Sequence, residues 1–401
     1  MIRIDKLIAQ HCPNGVEFKR LDELLDYEQP GRYLVDSTVY DDSYTTPVLT
    51  AGQTFILGYT NETNGIYPAS PENPVIIFDD FTTAFKWVSF PFKAKSSAMK
   101  MLTPKSNAWE SLRYAYYAMQ TINYAPQEHA RQWIGTYSKF RIPAPPLEVQ
   151  REIVKVLDTF TELEAELEAE LEARRRQYKY YRDVLLTFDD RTNNASEQAV
   201  VRWMMLNEIG KFIRGRRFTK ADYVESGINA IHYGEIYTQY GVWTDKVVSQ
   251  VRSDIESGLR YAQPGDVVIT DVGETVEDVG KAVAWMGDDK VAIHDHCYAF
   301  RHDMNPKFVS YYMQTTSFIA EKAKYVARTK VKTLLVDGFS KIRIPVPPRE
   351  EQDRIVAILD KFDILTNSIS EGLPREIELR RKQYEHYRDK LLNFVELREA
   401  A

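Results

Sequence analysis

Apolar residues recur at steps of three, four or seven along two stretches of the chain. In the first, Ile153, Leu157, Phe160, Leu167, Leu171, Tyr178, Tyr181, Leu185 and Phe188 follow one another at helical spacing. This stripe predicts a helix over residues 147–188, about 60 Å long at ~1.5 Å per residue. Its middle reads Glu-Leu-Glu-Ala three times between Glu162 and Ala173, all strong helix formers. Glu164 and Arg174 interrupt the stripe. In the second stretch Ile355, Leu359, Phe362, Ile369, Leu373, Tyr384, Tyr387 and Leu391 carry it, with Gly372 and Pro374 inside. Proline in a helix interior costs on the order of 3 kcal/mol, so a kink is expected there, or a break with Pro374 opening a new segment. Elsewhere the pattern changes. Short apolar runs such as Pro74-Val-Ile-Ile-Phe78 and Asp266-Val-Val-Ile-Thr270, bounded by Gly, Asn, Asp and Pro, read as strands. Helical pieces at Trp109 to Gln120 and Pro306 to Lys324 accompany them.

The two stripes are copies. Lys139-Phe-Arg-Ile-Pro-Ala-Pro-Pro146 returns as Lys341-Ile-Arg-Ile-Pro-Val-Pro-Pro348, and Gln150, Ile153, Val154, Leu157, Asp158 and Phe160 return as Gln352, Ile355, Val356, Leu359, Asp360 and Phe362, at an offset of 202. A second block, Arg174 to Phe188, returns as Arg380 to Phe394 at an offset of 206. A fainter echo joins Val16, Phe18, Leu21, Glu23 and Leu24 to Val201, Trp203, Leu206, Glu208 and Ile209. A helix with such a stripe cannot bury it alone. About 150 residues separate the copies, enough for a domain that returns the chain, so the expected solution is an intramolecular antiparallel coiled coil. A coiled-coil rod joining two molecules is the plainer alternative. The fold class expected is α+β with a pseudo-twofold internal repeat. Its segments are a first head at 1–145, a first helix at 146–190, a second head at 191–347, and a second helix with tail at 348–401.

The chain has 401 residues and a net charge of −6, which argues against a uniformly basic nucleic-acid binder. The charges are segregated, however: six glutamates crowd residues 162–172, while basic residues cluster in the heads. From Lys86 to Lys100 the first head carries Lys86, Trp87, Lys93, Lys95 and Lys100 without an acid. In the second, Lys211, Arg214, Arg216, Arg217 and Lys220 surround Gly215, and Lys322, Lys324, Arg328, Lys330 and Lys332 follow later. Lys and Arg on loops suit phosphate contact and base reading, although a single charge run is more often ordinary solvated surface.

Chemistry is hard to find. Cys12 and Cys297 form no CxxC pair, so neither a zinc ribbon nor a disulfide framework is indicated. His294-Asp295-His296-Cys297 could bind a metal, but adjacent residues on a strand alternate faces. Asp79-Asp80 ahead of Lys86 resembles a nuclease arrangement common by chance. Gly273 to Lys281 has the wrong glycine spacing for a phosphate loop, and Ala282 stands where Ser or Thr is needed. No catalytic residue and no metal site are expected. The first fifteen residues lack an apolar leader core, and no run of about 18 apolar residues occurs, so a cytoplasmic, membrane-free protein is expected.

The repeated Ile-Pro-x-Pro-Pro…Gln…Ile…Leu-Asp block, with the repeated Gln-Tyr…Tyr-Arg-Asp…Leu-Leu block, resembles type I restriction-modification specificity subunits over the whole head–helix–head–helix order. Val149 where the second copy has Glu351, and the Gly372/Pro374 interruption, depart from strict repetition. The resemblance implies two target-recognition domains, each reading half of a bipartite duplex DNA site. It implies spacer helices that dock two methyltransferase subunits, and restriction endonuclease/translocase subunits that join them. S-adenosylmethionine, ATP and Mg would act on those partners, with no cofactor in this chain. The rivals are a stand-alone nuclease or methyltransferase with duplicated DNA-binding heads, and a coiled-coil adaptor with no DNA role.

Overall fold

The computed structural model describes residues 2–52, 54–105, 109–126, 130–188, 201–327, 330–368 and 371–397. The chain forms two compact units, residues 1–166 with 378–401, and residues 167–377. They cut across the four segments read from the sequence, because each unit takes one end of both helical stretches.

In the first unit, strand Phe18–Arg20 pairs antiparallel with Arg141–Pro143, Phe18 opposite Pro143. A four-stranded antiparallel sheet follows the order Leu25–Glu28, Met99–Pro104, Val75–Asp79, Phe85–Val88. A three-stranded sheet holds Ile56–Thr60, Thr46–Leu49 and Lys93–Ala94. The Val-Ile-Ile-Phe run of the central strand is buried throughout, as expected of a strand covered on both faces. Helix Trp109–Met119 lies over the core formed by Ile76, Phe78, Leu102, Leu112, Tyr117 and Trp133. Ile153 and Leu157 from the long helix and Leu391 from the second join that same core.

The second unit builds a different head. One five-stranded sheet runs Gly210–Arg214, Cys297–His302, Val267–Thr270, Ala282–Trp285, Trp243–Thr244. A second runs Tyr223–Val224, Ser249–Val251, Ile228–Ile231, Val291–Ile293, Tyr261–Ala262, with one parallel pairing inside it. Helices Pro306–Tyr312 and Thr316–Lys322 cover the first sheet. Ile355 and Leu359 are buried against this head, together with Tyr178.

Below the unlike heads the foundations match. Strand Arg202–Met205 pairs with Arg343–Val346 as Phe18–Arg20 pairs with Arg141–Pro143. Glu23 caps the Arg20 amide at 2.9 Å and Glu208 caps that of Met205 at 2.7 Å. The faint echo in the sequence is therefore a real structural repeat. Both helices also start the same way. The Gln150 side-chain amide donates to the Pro145 carbonyl at 2.8 Å, and Gln352 donates to Pro347 at 2.8 Å. Each proline pair ends a strand, and its glutamine ties the first helical turn back to it.

The first helix runs unbroken from Leu147 to Leu185. The second stretch divides into Arg349–Asn367 and Gly372–Leu392. Gly372 has φ +74°, and a Cβ there would lie 2.5 Å from the Ile364 carbonyl oxygen. Pro374 then falls in the first turn of the new helix, where its missing N–H forfeits no bond. Ile369, expected in the stripe, lies outside the described residues. In the first unit the Phe160 ring stacks on Tyr387 at 5.3 Å, and Glu164, a break in the stripe, pairs with Arg381. In the second unit Tyr181 stacks on Phe362 at 5.6 Å, and Tyr178 lies 6.4 Å from the same ring. Leu167, Leu171, Leu185 and Tyr384 are half-buried, and Leu186 rather than Leu185 is the leucine fully covered at the helix end.

Candidate nucleic-acid interface

The second head's basic loop begins on strand Gly210–Arg214. Strand alternation places Phe212 and Arg214 on one face and Lys211 on the other, with Lys211 opposite Arg301. Gly215 follows. Its amide donates to the Cys297 carbonyl at 2.9 Å, and a Cβ there would meet the His294 carbonyl oxygen at 2.0 Å. Only glycine lets the loop lie this close to the neighbouring backbone. Arg216 donates its amide to Ile293 at 3.0 Å, and the buried Phe218 ring packs edge-on against His294 at 5.1 Å. So pinned, the loop exposes Arg216, Arg217 and Lys220. Arg216 and Arg217 line an open concavity of about 420 Å³ with Ser257, Gly258, Leu259 and Arg260. Neither makes an ion pair among the described residues, so both guanidinium groups remain available for an anion. Lys332 pairs with Gly273 in a short ladder, Lys330 is exposed nearby in sequence, and Arg328 lies outside the described residues.

The first head's basic run reads differently in three dimensions. Lys93 is buried, with its ammonium 2.6 Å from Glu62 and donating to the Asn64 carbonyl at 2.8 Å. Lys100 is buried too, 3.0 Å from Asp80. Neither can touch DNA. The run lacks an acid within itself, but the fold supplies Glu62 and Asp80 from outside it, and an unpaired buried ammonium would be costly. Trp87 is half-buried, its ring under the Arg113 guanidinium at 4.6 Å. Lys86 remains half-exposed on strand Phe85–Val88, and Lys95 lies 5.7 Å above the Tyr40 ring.

The acids and histidines singled out in the sequence hold structure together. Asp79 accepts the Phe81 and Thr82 amides of a turn, and Asp80 accepts the Trp133 amide at 2.7 Å. His294 packs on His232 and Tyr233, with centroids 4.4 and 5.2 Å away, and burial pushes its pKa down. Among the described residues no group of three or more His, Cys, Asp or Glu is placed to hold a metal ion, and no helix is long and apolar enough to cross a membrane.

A repeated contact was missed in the sequence. Asp158 accepts from Arg113 at 2.8 Å and from the Tyr117 hydroxyl. Its copy, Asp360, accepts from Lys307 at 2.8 Å and from the Tyr311 hydroxyl at 2.7 Å. Each cation also covers a tryptophan, Arg113 over Trp87 and Lys307 over Trp243 at 3.7 Å. A cation with a tyrosine four residues on was the available signal, hidden because one copy uses Arg and the other Lys.

Two unlike heads latched onto one duplicated helical scaffold make a two-site recognition protein. The chain belongs to the type I restriction modification DNA specificity domain family, whose model matches residues 13–173 and again 201–379. Over 397 residues it is 42% identical to the type I restriction enzyme EcoR124I/EcoR124II specificity subunit of Escherichia coli, covering 94% of each chain. A putative type I restriction enzyme specificity subunit of Haemophilus influenzae is 31% identical over 400 residues, covering 94% of this chain and 96% of that one. The crystal structure of the S subunit of a type I restriction-modification system from M. genitalium shares the fold, with a TM-score of 0.54 at 15% identity over 94% of this chain and 96% of that one. As a specificity subunit, the chain is a recognition component and not a catalytic one.

Proposed function

We propose that each head reads one half of a bipartite duplex DNA target, and that the helices form an antiparallel coiled coil that spaces the heads and docks two methyltransferase subunits. Restriction endonuclease/translocase subunits complete the assembly, in the cytoplasm. S-adenosylmethionine, ATP and Mg act on those partners. The observation that carries this reading is the repeated foundation, with the same strand pair, glutamine tie and aspartate latch beneath dissimilar heads. A fixed mount with variable readers suits two sequences recognised in one geometry. The swapped aromatic pairs, Phe160 with Tyr387 and Tyr181 with Phe362, support the antiparallel arrangement. In this reading Arg216, Arg217 and Arg260 hold backbone phosphates, while Lys211, Lys220, Lys330, Lys332, Lys86 and Lys95 are further candidates.

Purified chain, alone and with its methyltransferase partner, tests this by duplex binding. Salt-dependent, sequence-preferring binding by the complex is expected, with methylation only when the partner is present. Binding indifferent to sequence, or methylation by the isolated chain, would overturn the proposal.

A further inference from the structure

We infer that Arg214 reads a guanine directly and that His296 reads the adjoining amino-bearing base, both aimed by the buried carboxylate of Asp271. The inference rests on the DNA-reading role proposed above and names where within the second head sequence is read.

Three neighbouring strands place these residues together. Gly210–Arg214 ends, Cys297–His302 begins and Val267–Thr270 ends at one edge of the five-stranded sheet, as the pairings Arg214–Tyr298 and Thr270–Cys297 require. Asp271 follows the last of these strands and is 1% exposed. Its backbone is clamped on both sides: its amide donates to the His296 carbonyl at 3.1 Å, and its carbonyl accepts from Leu334 at 2.9 Å. One carboxylate oxygen lies 3.0 Å from His296 Nδ1, the other 3.5 Å from Arg214 Nη2. The two partners stay at the solvent rim, their side chains 49% and 41% exposed for Arg214 and His296. A buried acid whose ionic partners among the described residues are half-exposed gains little stability, since such pairs are worth little. What it fixes is direction.

The free edges have defined chemistry. Arg214 Nε donates to the Asp295 carbonyl at 3.1 Å. With Nε and one side of Nη2 engaged, the Nη1/Nη2 end is left without a partner among the described residues, in a side chain 49% exposed. That end matches guanine O6 and N7 in the major groove. A carboxylate only accepts, so in the neutral ring His296 Nδ1 carries the proton and Nε2 offers a lone pair. Such an acceptor suits the amino group of adenine or cytosine. Arg216 and Arg217, two and three residues further on, have no such buttress among the described residues, and unfixed guanidinium groups suit phosphate. Arg260 donates to the Arg214 carbonyl at 3.4 Å, tying the two roles to one loop.

The test maps methylated adenines genome-wide in cells carrying the complete methyltransferase complex, with wild-type chain, Arg214→Ala, Arg214→Lys, His296→Leu and Arg217→Ala. Arg214→Ala and Arg214→Lys should each relax one G·C position in one half-site, cutting discrimination there roughly 5- to 150-fold. The other half-site and the gap should stay unchanged. Arg214→Lys keeps the charge, so its relaxed specificity separates base reading from lost electrostatics. His296→Leu should relax the adjoining position. Arg217→Ala should weaken binding uniformly and lower the salt slope by about one. Retained discrimination in Arg214→Lys, or relaxation in both half-sites, would overturn the inference, as would Arg214→Ala behaving like Arg217→Ala. Absence of a methylated motif with wild-type chain would instead overturn the DNA-specificity reading on which it rests.

Discussion

Lengthening the first helix tests the proposed spacer. Between Glu164 and Tyr178 its side chains are exposed or half-buried, so an insertion there disturbs little packing. Upstream, Phe160 and Glu164 keep their contacts with Tyr387 and Arg381. Downstream, Tyr178 and Tyr181 keep theirs with Phe362. One further Glu-Leu-Glu-Ala unit after Ala169 adds ~6 Å and turns the downstream helix only about 40° past a full turn. At ~3.4 Å per base pair, the unread gap should lengthen by up to about two base pairs, less if the helix tilts across the duplex. Both half-site sequences should persist. A two-residue insertion turns the downstream stripe by about 200°. It would expose Tyr178 and Leu186, now 7% and 2% exposed, at a cost of roughly 1.5–3 kcal/mol each. Loss of methylation is expected for that variant. Mapping methylated sites in cells carrying each insertion reads both outcomes, and an unchanged gap with full activity in the four-residue variant would refute the spacer argument.

Other perturbations bear on single contacts. Asp360→Ala leaves Lys307 without its carboxylate and the Tyr311 hydroxyl without its acceptor; a double-mutant cycle with Lys307→Met in urea unfolding should give a coupling of about 1–3 kcal/mol, and a value below ~0.5 kcal/mol would dissolve the latch. Gly215→Ala puts a methyl into the His294 carbonyl and should lift the arginine loop, costing about 1–3 kcal/mol and weakening DNA binding at least as much as Arg217→Ala; wild-type affinity would contradict this. His302 accepts the Met304 amide on Nδ1 at 3.1 Å while its Nε2 is buried without a partner among the described residues, and burial lowers its pKa to about 4. The unfolded chain therefore takes up this proton first as pH falls, so stability is level above pH ~6.5 and declines toward pH 4, by about 2 kcal/mol at pH 5; His302→Gln should remove that part of the slope in thermal melts at pH 7 and 5.

What could be read in the sequence was the periodic part. A helix repeats its register every few residues, so Ile153, Leu157 and their copies declare themselves without knowledge of any partner. Gly372 and Pro374 likewise announced the break, because backbone restrictions are local. The heads resisted for the opposite reason. Whether Lys93 or Lys100 is free depends on Glu62 and Asp80, one distant in sequence and the other in the turn just past a neighbouring strand, and no local pattern reports them. The arginine loop was legible because Gly215 and the arginines are adjacent, yet Asp271, which lies 3.5 Å from Arg214 and 3.0 Å from His296, sits at the end of another strand. The run His294 to Cys297 drew notice for metal chemistry, whereas the structure uses its members to seat Gly215 and to hold Asp271.

The latch shows how far the duplication extends and why it stops. Arg113 and Tyr117 lie 45 and 41 residues ahead of Asp158, Lys307 and Tyr311 53 and 49 ahead of Asp360. The spacing within each pair is kept, while the chain between pair and aspartate has changed length. Insertions were therefore tolerated between the contacts but not in their geometry. The tryptophan beneath the cation comes from Phe85–Val88 in one head and from Trp243–Thr244 in the other, both edge strands, one paired antiparallel to its neighbour and the other parallel. What persists is an acid on the helix, a cation and a tyrosine one turn apart on the head, and an aromatic face behind them. Those groups fix the angle at which a head meets its helix and contribute nothing to the exposed edge where Arg214, Arg216 and Arg217 stand. Separating the mount from that exposed edge in this way lets a head change its loops without changing how it is held.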